Sequence, residues 1–438
     1  MTISPCASTT PATVSDGDDP GRTGPSGLNG LALLPVDLQS VDVLECPYPA
    51  YKTLRESAPV FHSDRGYWVV TRYEDVAAIL LDTARFSGYV PRPPDAEIDA
   101  ILDEGYPEIP TLISADAPMH SQYRALVNKA FLPGRVAQLE SEIAAIADEL
   151  IDRFIDAGRV ELIGQFAVGL PLTVIADALG VSRADLPTFK RWSDDIVAPR
   201  SGLLTRPELL AATRSLVEMQ QYMAQRCEQR RREPRDDLLT DLVQATFDAG
   251  DRAGEQLSLN EVIGIIRQLL VAGNETTTSL IANVMTLLIE HPEQMQAVRA
   301  DSAQLTPIIE ESLRLDAPIQ MLPRRARVDV EIGGTRVAAG DLLYVVYASA
   351  NHDESRFAVP AEFDPQRANI RKHLAFGKGA HFCVGASLAR GEARIAFERL
   401  LSRATDWALA TDRDEPVRRG LSMQLRGLSH LDLTFRAR

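Results

Sequence analysis

No run of 18 or more uncharged apolar residues occurs in the 438-residue chain, so a membrane anchor is not expected. The nearest approach, Leu162 to Val181, is broken by Gln165, Pro171 and Asp177 and reads as buried core. Cysteine is scarce. Cys6, Cys46, Cys227 and Cys383 lie far apart, with no Cys-x-x-Cys and no disulfide-framework spacing, which fits a reducing, cytoplasmic setting. Positive charge is also short: 46 Lys and Arg face 61 Asp and Glu, for a net charge of -15, which argues against a nucleic-acid partner. Residues 1–40 form a separate N-terminal tail: the first 30 are rich in Thr, Ser, Pro, Gly and Asp, lack the basic start and apolar run of a signal peptide, and have too little apolar surface to order. After residue 40 no Gly/Ser-rich or Pro-rich linker divides the chain. One large, mainly α domain with small β-sheets is expected over residues 41–438.

What is present centres on Phe376-Gly377-Lys378-Gly379-Ala380-His381-Phe382-Cys383-Val384-Gly385. Gly377, Gly379 and Gly385 let backbone turn tightly and approach a flat cofactor without a Cβ in the way. A helical pattern follows from Ala386, so the sulfur of Cys383 stands at or just before a helix N-terminus, where a thiolate is stabilised. On residue type alone Cys383 could be a small buried apolar residue. Zinc is disfavoured, because only His381 lies at ligand spacing. A dinucleotide fingerprint fails at Phe382, where glycine is required.

Taken from the N-terminus, ordered structure is expected from about Pro47, with a short helix through Tyr51–Arg55 and a hairpin of Val60–His62 and Tyr67–Val70. Residues 85–113, with Pro91, Pro93 and Pro94, read as a long loop. Pro118 suits a helix start behind a capping Asp116, which puts His120 and Arg124 on one face as a clamp for a carboxylate. Such a pair is also common on solvated helix faces. Apolar residues recur helically over 136–158, and helices continue over 165–231 with breaks near Gly180 and Pro199–Gly202. The arginines 226, 230, 231, 232 and 235 alternate with acids and read as a solvated helix end rather than a docking patch.

Ser258–Glu290 is the longest helical stretch and opens on a capping box, Ser258 with Glu261. At its centre is Ala272-Gly273-Asn274-Glu275-Thr276-Thr277, poor helix material. The Thr276 hydroxyl can bond the carbonyl of Ala272 and bend the helix, leaving a groove beside Gly273. That is a defect in a structural helix and a place for a small ligand in a functional one. Gln268, one turn earlier, is expected to point at a polar group on a substrate, with Val271 and Ala272 also lining the pocket. Glu311 and Arg314 are i, i+3 on one helix face, and Gly333-Gly334 marks a second hairpin.

Phe376, Gly379, Cys383 and Gly385 resemble the haem-binding signature of the cytochrome P-450 family, the haem-thiolate monooxygenases. The resemblance runs from about Pro47 to the end. It implies the cytochrome P-450 fold, with the small sheet at its edge and the 85–113 loop roofing the substrate pocket. Haem b is the implied cofactor, with Cys383 as iron ligand and with Phe376, Gly377 and Gly385 in the haem loop. Ala272, Gly273, Glu275 and Thr276 match the family's oxygen-activating helix, where Thr276 steadies bound oxygen and Glu275 relays protons. His120, Arg124, Arg324 and His381 match propionate partners, Arg325 being a one-residue alternative to Arg324. Glu311, Arg314 and Arg367 match a structural network beneath the haem loop. His62, His291, His352, His373 and His430 receive no chemical role.

The implied activity is oxidation, most often hydroxylation, of a small organic substrate by dioxygen. With 55 residues after Cys383, electrons are expected from a separate ferredoxin and ferredoxin reductase, for which Lys378, Arg390, Arg394 and the helix of Arg124 would offer a basic face. A peroxide-driven peroxygenase and a haem-based sensor both lack a use for Glu275-Thr276.

Overall fold

The capping box forms as the sequence demands: the Ser258 N–H donates to the Glu261 carboxylate at 2.6 Å and the Glu261 N–H donates to Ser258 Oγ at 3.3 Å. It starts a 32-residue helix against which many of the other helices pack. The structure is a computed structural model that describes residues 36–411, 417 and 419–438. Its helices are α1 Val41–Glu45, α2 Tyr48–Ser57, α3 Tyr73–Leu81, α4 Ala96–Leu102, α5 Met119–Asn128, α6 Pro133–Asp152, α7 Gly169–Ala178 and α8 Leu186–Val197. They continue as α9 Arg206–Arg232, α10 Leu238–Gln244, α11 Leu259–Glu290, α12 Pro292–Ala300, α13 Leu305–Leu315, α14 Tyr347–Ala350 and α15 Ala386–Arg403.

The strands are β1 Val60–His62, β2 Trp68–Val70, β3 Phe86–Ser87, β4 Arg159–Glu161, β5 Met321–Ala326, β6 Val330–Ile332, β7 Thr335–Val337, β8 Leu342–Val346, β9 Ala404–Leu409 and β10 Asp432–Ala437. They make a five-stranded sheet in the order β1-β2-β8-β5-β3, a three-stranded sheet β4-β10-β9, and the hairpin β6-β7. Only β2 and β8 pair in parallel within the large sheet.

Helix α11 belongs to two cores. Val262, Ile263, Ile265, Ile266, Leu269 and Leu270 pack with α5 and α7–α10, whereas Leu280, Ile281, Val284, Met285 and Leu288 pack with α6, α12, α13 and α15. Apolar residues on all faces are what a helix buried through its length requires. The segment Ala272–Thr276 falls between these two cores.

Three expectations need correction. Residues 1–35 of the expected tail lie outside the described residues, but Leu38 is buried and packs with Leu44, Tyr51 and Leu54, so the folded part begins before residue 41 and before Pro47. The 85–113 stretch is interrupted by β3 and α4, the latter capped by Asp95, whose carboxylate accepts the N–H groups of Glu97 and Ile98. Arg230 is not solvated: it is 1% exposed, with Nε 2.6 Å from Asp237 and Nη2 donating to Gly180 O. The breaks at Gly180 and Gly202 and the Gly333-Gly334 turn stand as read, all four glycines having positive φ.

Candidate active site

Left-handed backbone shapes the cysteine loop. Gly377 and Gly379 have φ of +70° and +71°, and a Cβ on Gly379 would stand 2.7 Å from Leu80 O, so only glycine fits there. The Cys383 N–H donates to Phe376 O at 2.9 Å, and the Leu374 N–H donates to Asn351 Oδ1 at 2.6 Å. At Gly385, which precedes α15, glycine supplies room instead: its φ is ordinary and an added Cβ would meet nothing within 4 Å. Burial pushes the Cys383 thiol up, while a hydrogen bond from the Gly385 N–H and the charges of Arg124 and Arg390 act the other way. A sulfur so placed ionises readily only against a further positive charge, the condition of a metal ligand.

Four basic side chains gather beside it. The rings of His120 on α5 and His381 in the loop lie 4.1 Å apart at 46°. Arg124, one turn along α5, donates through Nε to Asn128, and Arg324 on β5, 4% exposed, donates to its neighbour Pro323 O. None of the four has a carboxylate ion-pair partner among the described residues. Burial lowers His120 and Arg124, and burial together with His120 and Arg324 brings His381 down to about 3. Asp116 acts the other way on both imidazoles but is itself paired with Arg327, so the two arginines of the cluster are left without a carboxylate of their own. Arg325 faces the other way, exposed, with Nε on Gly340 O.

Helix α11 contributes its distorted centre. Thr276 Oγ1 donates to Ala272 O at 2.7 Å, as the sequence predicts. Ala272 is exposed and a Cβ on Gly273 would touch nothing within 4 Å, although the helix on either side is buried. Val271 is buried but belongs to neither core. Glu275 is raised by burial; Lys190 on α8, 3.3 Å away, lowers it and Asp194 raises it. Gln268 departs from expectation. Its Oε1 accepts the Ile113 N–H at 2.9 Å and its Nε2 donates to Thr111 O and Oγ1, so both ends of the amide are taken by the chain and not held out toward a substrate.

A loop-borne thiol, open space at Gly385 and Gly273, and a basic cluster whose two arginines have no carboxylate ion-pair partner together fit a flat group that carries a metal and two carboxylates, which is haem b. The cytochrome P450 family model matches residues 204–421. The putative cytochrome P450 YjiB of Bacillus subtilis is 37% identical over 360 residues, 81% of this chain and 87% of that protein. The chain belongs to the cytochrome P450 family. The P450 monooxygenase PikC of Streptomyces venezuelae is 37% identical over 399 residues, 89% of this chain and 91% of PikC. Among solved structures, the P450 CYP109Q5 from Chondromyces apiculatus matches with a TM-score of 0.80 at 38% identity, covering 92% of this chain and 98% of that one. This P450 is a haem-thiolate monooxygenase that oxidises a small organic substrate with dioxygen and uses haem b. No helix among the described residues is long and apolar enough to cross a membrane.

The structural network under the P450 loop forms: Arg314 makes two bonds to Glu311, at 2.6 and 2.8 Å, and Arg367 Nε reaches Glu311 at 3.3 Å, all buried. Several partners escaped the sequence. Arg390, read as part of a basic docking face, is bound by buried Glu310 together with His373, and lies 4.4 Å over the Phe376 ring. Burial raises Glu310, but Arg390 and His373 outweigh it and bring the carboxyl to about 2. Arg394 is likewise occupied, by Glu140 and Glu398. Asp116 does not cap α5 with its side chain; the carboxylate accepts from Ser87, the Gly88 N–H and Arg327. Glu392 on α15, 3% exposed, faces Thr277 on α11. Apart from Glu398, four residues after Arg394 on the same helix, these partners lie far along the chain, and spacing alone gives no signal for them.

Proposed function

We propose that Cys383 ligates the haem iron, that His120, Arg124, Arg324 and His381 hold the propionates, and that Thr276 and Glu275 manage protons during oxygen transfer to carbon. Haem, when bound, supplies the activation of dioxygen and its transfer to the substrate. The observation that carries the reading is the gathering of His120, His381, Arg124 and Arg324, none in an ion pair with a carboxylate among the described residues, beside the loop that bears Cys383.

The roles of the side chains follow from their chemistry. Arg124 and Arg324 offer forked donors that suit carboxylates, and the two imidazoles gain basicity once an anion sits beside them. The Thr276 hydroxyl, with its proton on Ala272 O, keeps its oxygen lone pairs free to accept. It can also turn to donate. Glu275, half-buried and held by Lys190, stands between the helix groove and Asp194, whose side chain is 49% exposed, which suits a proton relay to solvent. Val271 and Ala272 line the substrate side of α11. Electrons come from a separate ferredoxin and its reductase, the donors that the likeness to bacterial P450s implies.

The test is the absorption spectrum of the dithionite-reduced protein under carbon monoxide, beside Cys383→Ala. A strongly red-shifted Soret band in the parent alone is expected. The same band in both proteins, or no haem uptake by the parent, would remove the thiolate assignment.

A further inference from the structure

The segment between α4 and α5 is stitched to two helices by side-chain amides and one ion pair. From α9, Gln221 Nε2 donates to Glu104 O at 3.1 Å, and Gln220 both accepts the Tyr106 N–H at 3.0 Å and donates to Tyr106 O at 3.1 Å. From α11, Arg267 pairs with Glu108, and the next residue, Gln268, makes three bonds to Thr111 and Ile113. These contacts bracket Leu112, which has φ +38°. A leucine in left-handed backbone is strained, and such strain persists only where the surroundings over-determine it. Here the constraint is visible: one carboxamide holds the residue before and the residue after, and the Leu112 side chain is buried in the core that α11 shares.

The position of this clamp links it to the site. Gln268, Ala272 and Thr276 are spaced by four along α11 and lie on one face. Thr111 lies close against the same helix, since a Cβ on Gly264 would be 3.1 Å from its Oγ1. On the other side, a Cβ on Gly88 would stand 2.7 Å from Ile113 O and 3.6 Å from the His381 ring, so the segment spans from the oxygen groove to the basic cluster. Ile113, at its tip, is 44% exposed.

We propose that Gln268 is a latch: it holds Thr111–Ile113 against α11 with Leu112 strained, and its release lets Leu112 relax and the segment leave the helix, opening the pocket to bulky ligands. Gln268 is then a positioning residue that governs admission and fit, not the chemistry. The pocket's identity as a haem site rests on the function proposed above; the latch itself does not.

The experiment separates the two. Hydrogen exchange at the amides of residues 111–114 is measured first, with and without added haem, in the parent, Gln268→Leu and Thr111→Val. Losing three hydrogen bonds, Gln268→Leu should speed exchange there by at least about tenfold, and Thr111→Val, which loses one, by an intermediate factor. Binding of two iron ligands is then followed by absorption on the haem-loaded proteins: bulky 4-phenylimidazole should bind several-fold faster to Gln268→Leu, while cyanide should bind at the parental rate. Unchanged exchange at 111–114 in folded variants overturns the latch, as does equal acceleration of both ligands. If Gln268→Leu fails to fold, Thr111→Val is measured in the same two ways, and the same outcomes support or overturn the latch. A failure to take up haem would defeat the function proposed above while the exchange measurement still decided the latch.

Discussion

Arg324 and Arg325 are adjacent on β5 and face opposite sides of the sheet, Arg324 buried beside His381 and Arg325 exposed on Gly340 O. The alternation of a strand produces this, with Arg324 opposite Leu343 and Arg325 opposite Leu342 on β8. It favours Arg324 over Arg325 as the proposed propionate partner. Arg324→Ala should release haem to an acceptor apoprotein about 10 to 100 times faster than the parent, the effect of one charge-assisted hydrogen bond. Arg325→Ala should release it at the parental rate. Equal rates for the two variants would take Arg324 out of the haem site.

Glu311 is fully buried between Arg314 and Arg367. Removing its charge leaves two buried guanidiniums without a counter-ion. Glu311→Gln should therefore lower stability by about 3–5 kcal/mol in urea unfolding. The exposed pair Lys52–Glu56 is the control, since Lys52→Ala should cost no more than about 1 kcal/mol. Comparable losses would mean that the buried network adds nothing beyond its surface counterpart.

Burial pushes Glu392 up to about 8, with the Thr277 hydroxyl acting the other way. The unfolded carboxyl titrates near its ordinary value of 4.5. Between those values the native state keeps a proton that the unfolded chain has lost, so the contribution to stability is full below about pH 4.5 and is lost as pH rises through about 8. Glu392→Gln, which cannot ionise, should match the parent near pH 4.5 and exceed it at pH 8.5 by about 1 kcal/mol or more. Parallel stability curves across that range would show that Glu392 is ionised in the native protein.

How much of this was legible follows from the range of each interaction. The cysteine loop was readable because its demands are local: two left-handed glycines and a sulfur ahead of a helix fall within ten residues. The Thr276 bond to Ala272 was readable for the same reason, both groups lying on one turn of one helix. Gln268 was misjudged because its partners, Thr111 and Ile113, are 157 and 155 residues away, and a helix position alone does not say which neighbour covers it. Arg390 was assigned to the surface for want of Glu310, 80 residues earlier. Helix α4 went unread because seven residues give too few turns for a period to show.

Glu275 offers the sharpest test of the proton relay, because two neighbours on α8 push it in opposite directions. Burial raises the carboxyl, Lys190 lowers it and Asp194 raises it. Lys190→Met removes the lowering charge, so Glu275 should hold its proton to higher pH. Asp194→Asn removes the raising one and should do the reverse. If turnover depends on ionised Glu275, the acidic limb of kcat against pH moves up in Lys190→Met and down in Asp194→Asn, and it disappears in Glu275→Gln, where turnover falls by about 100-fold, a usual loss for a general acid or base. Thr276→Ala should leave this limb in place and instead divert reductant from product, because it removes the hydroxyl in the groove and leaves the carboxyl untouched. The measurement is NADH consumed against product formed across pH with a ferredoxin and reductase supplied. A limb that stays fixed in both α8 variants would place the titrating group elsewhere and leave Glu275 a structural partner of Lys190.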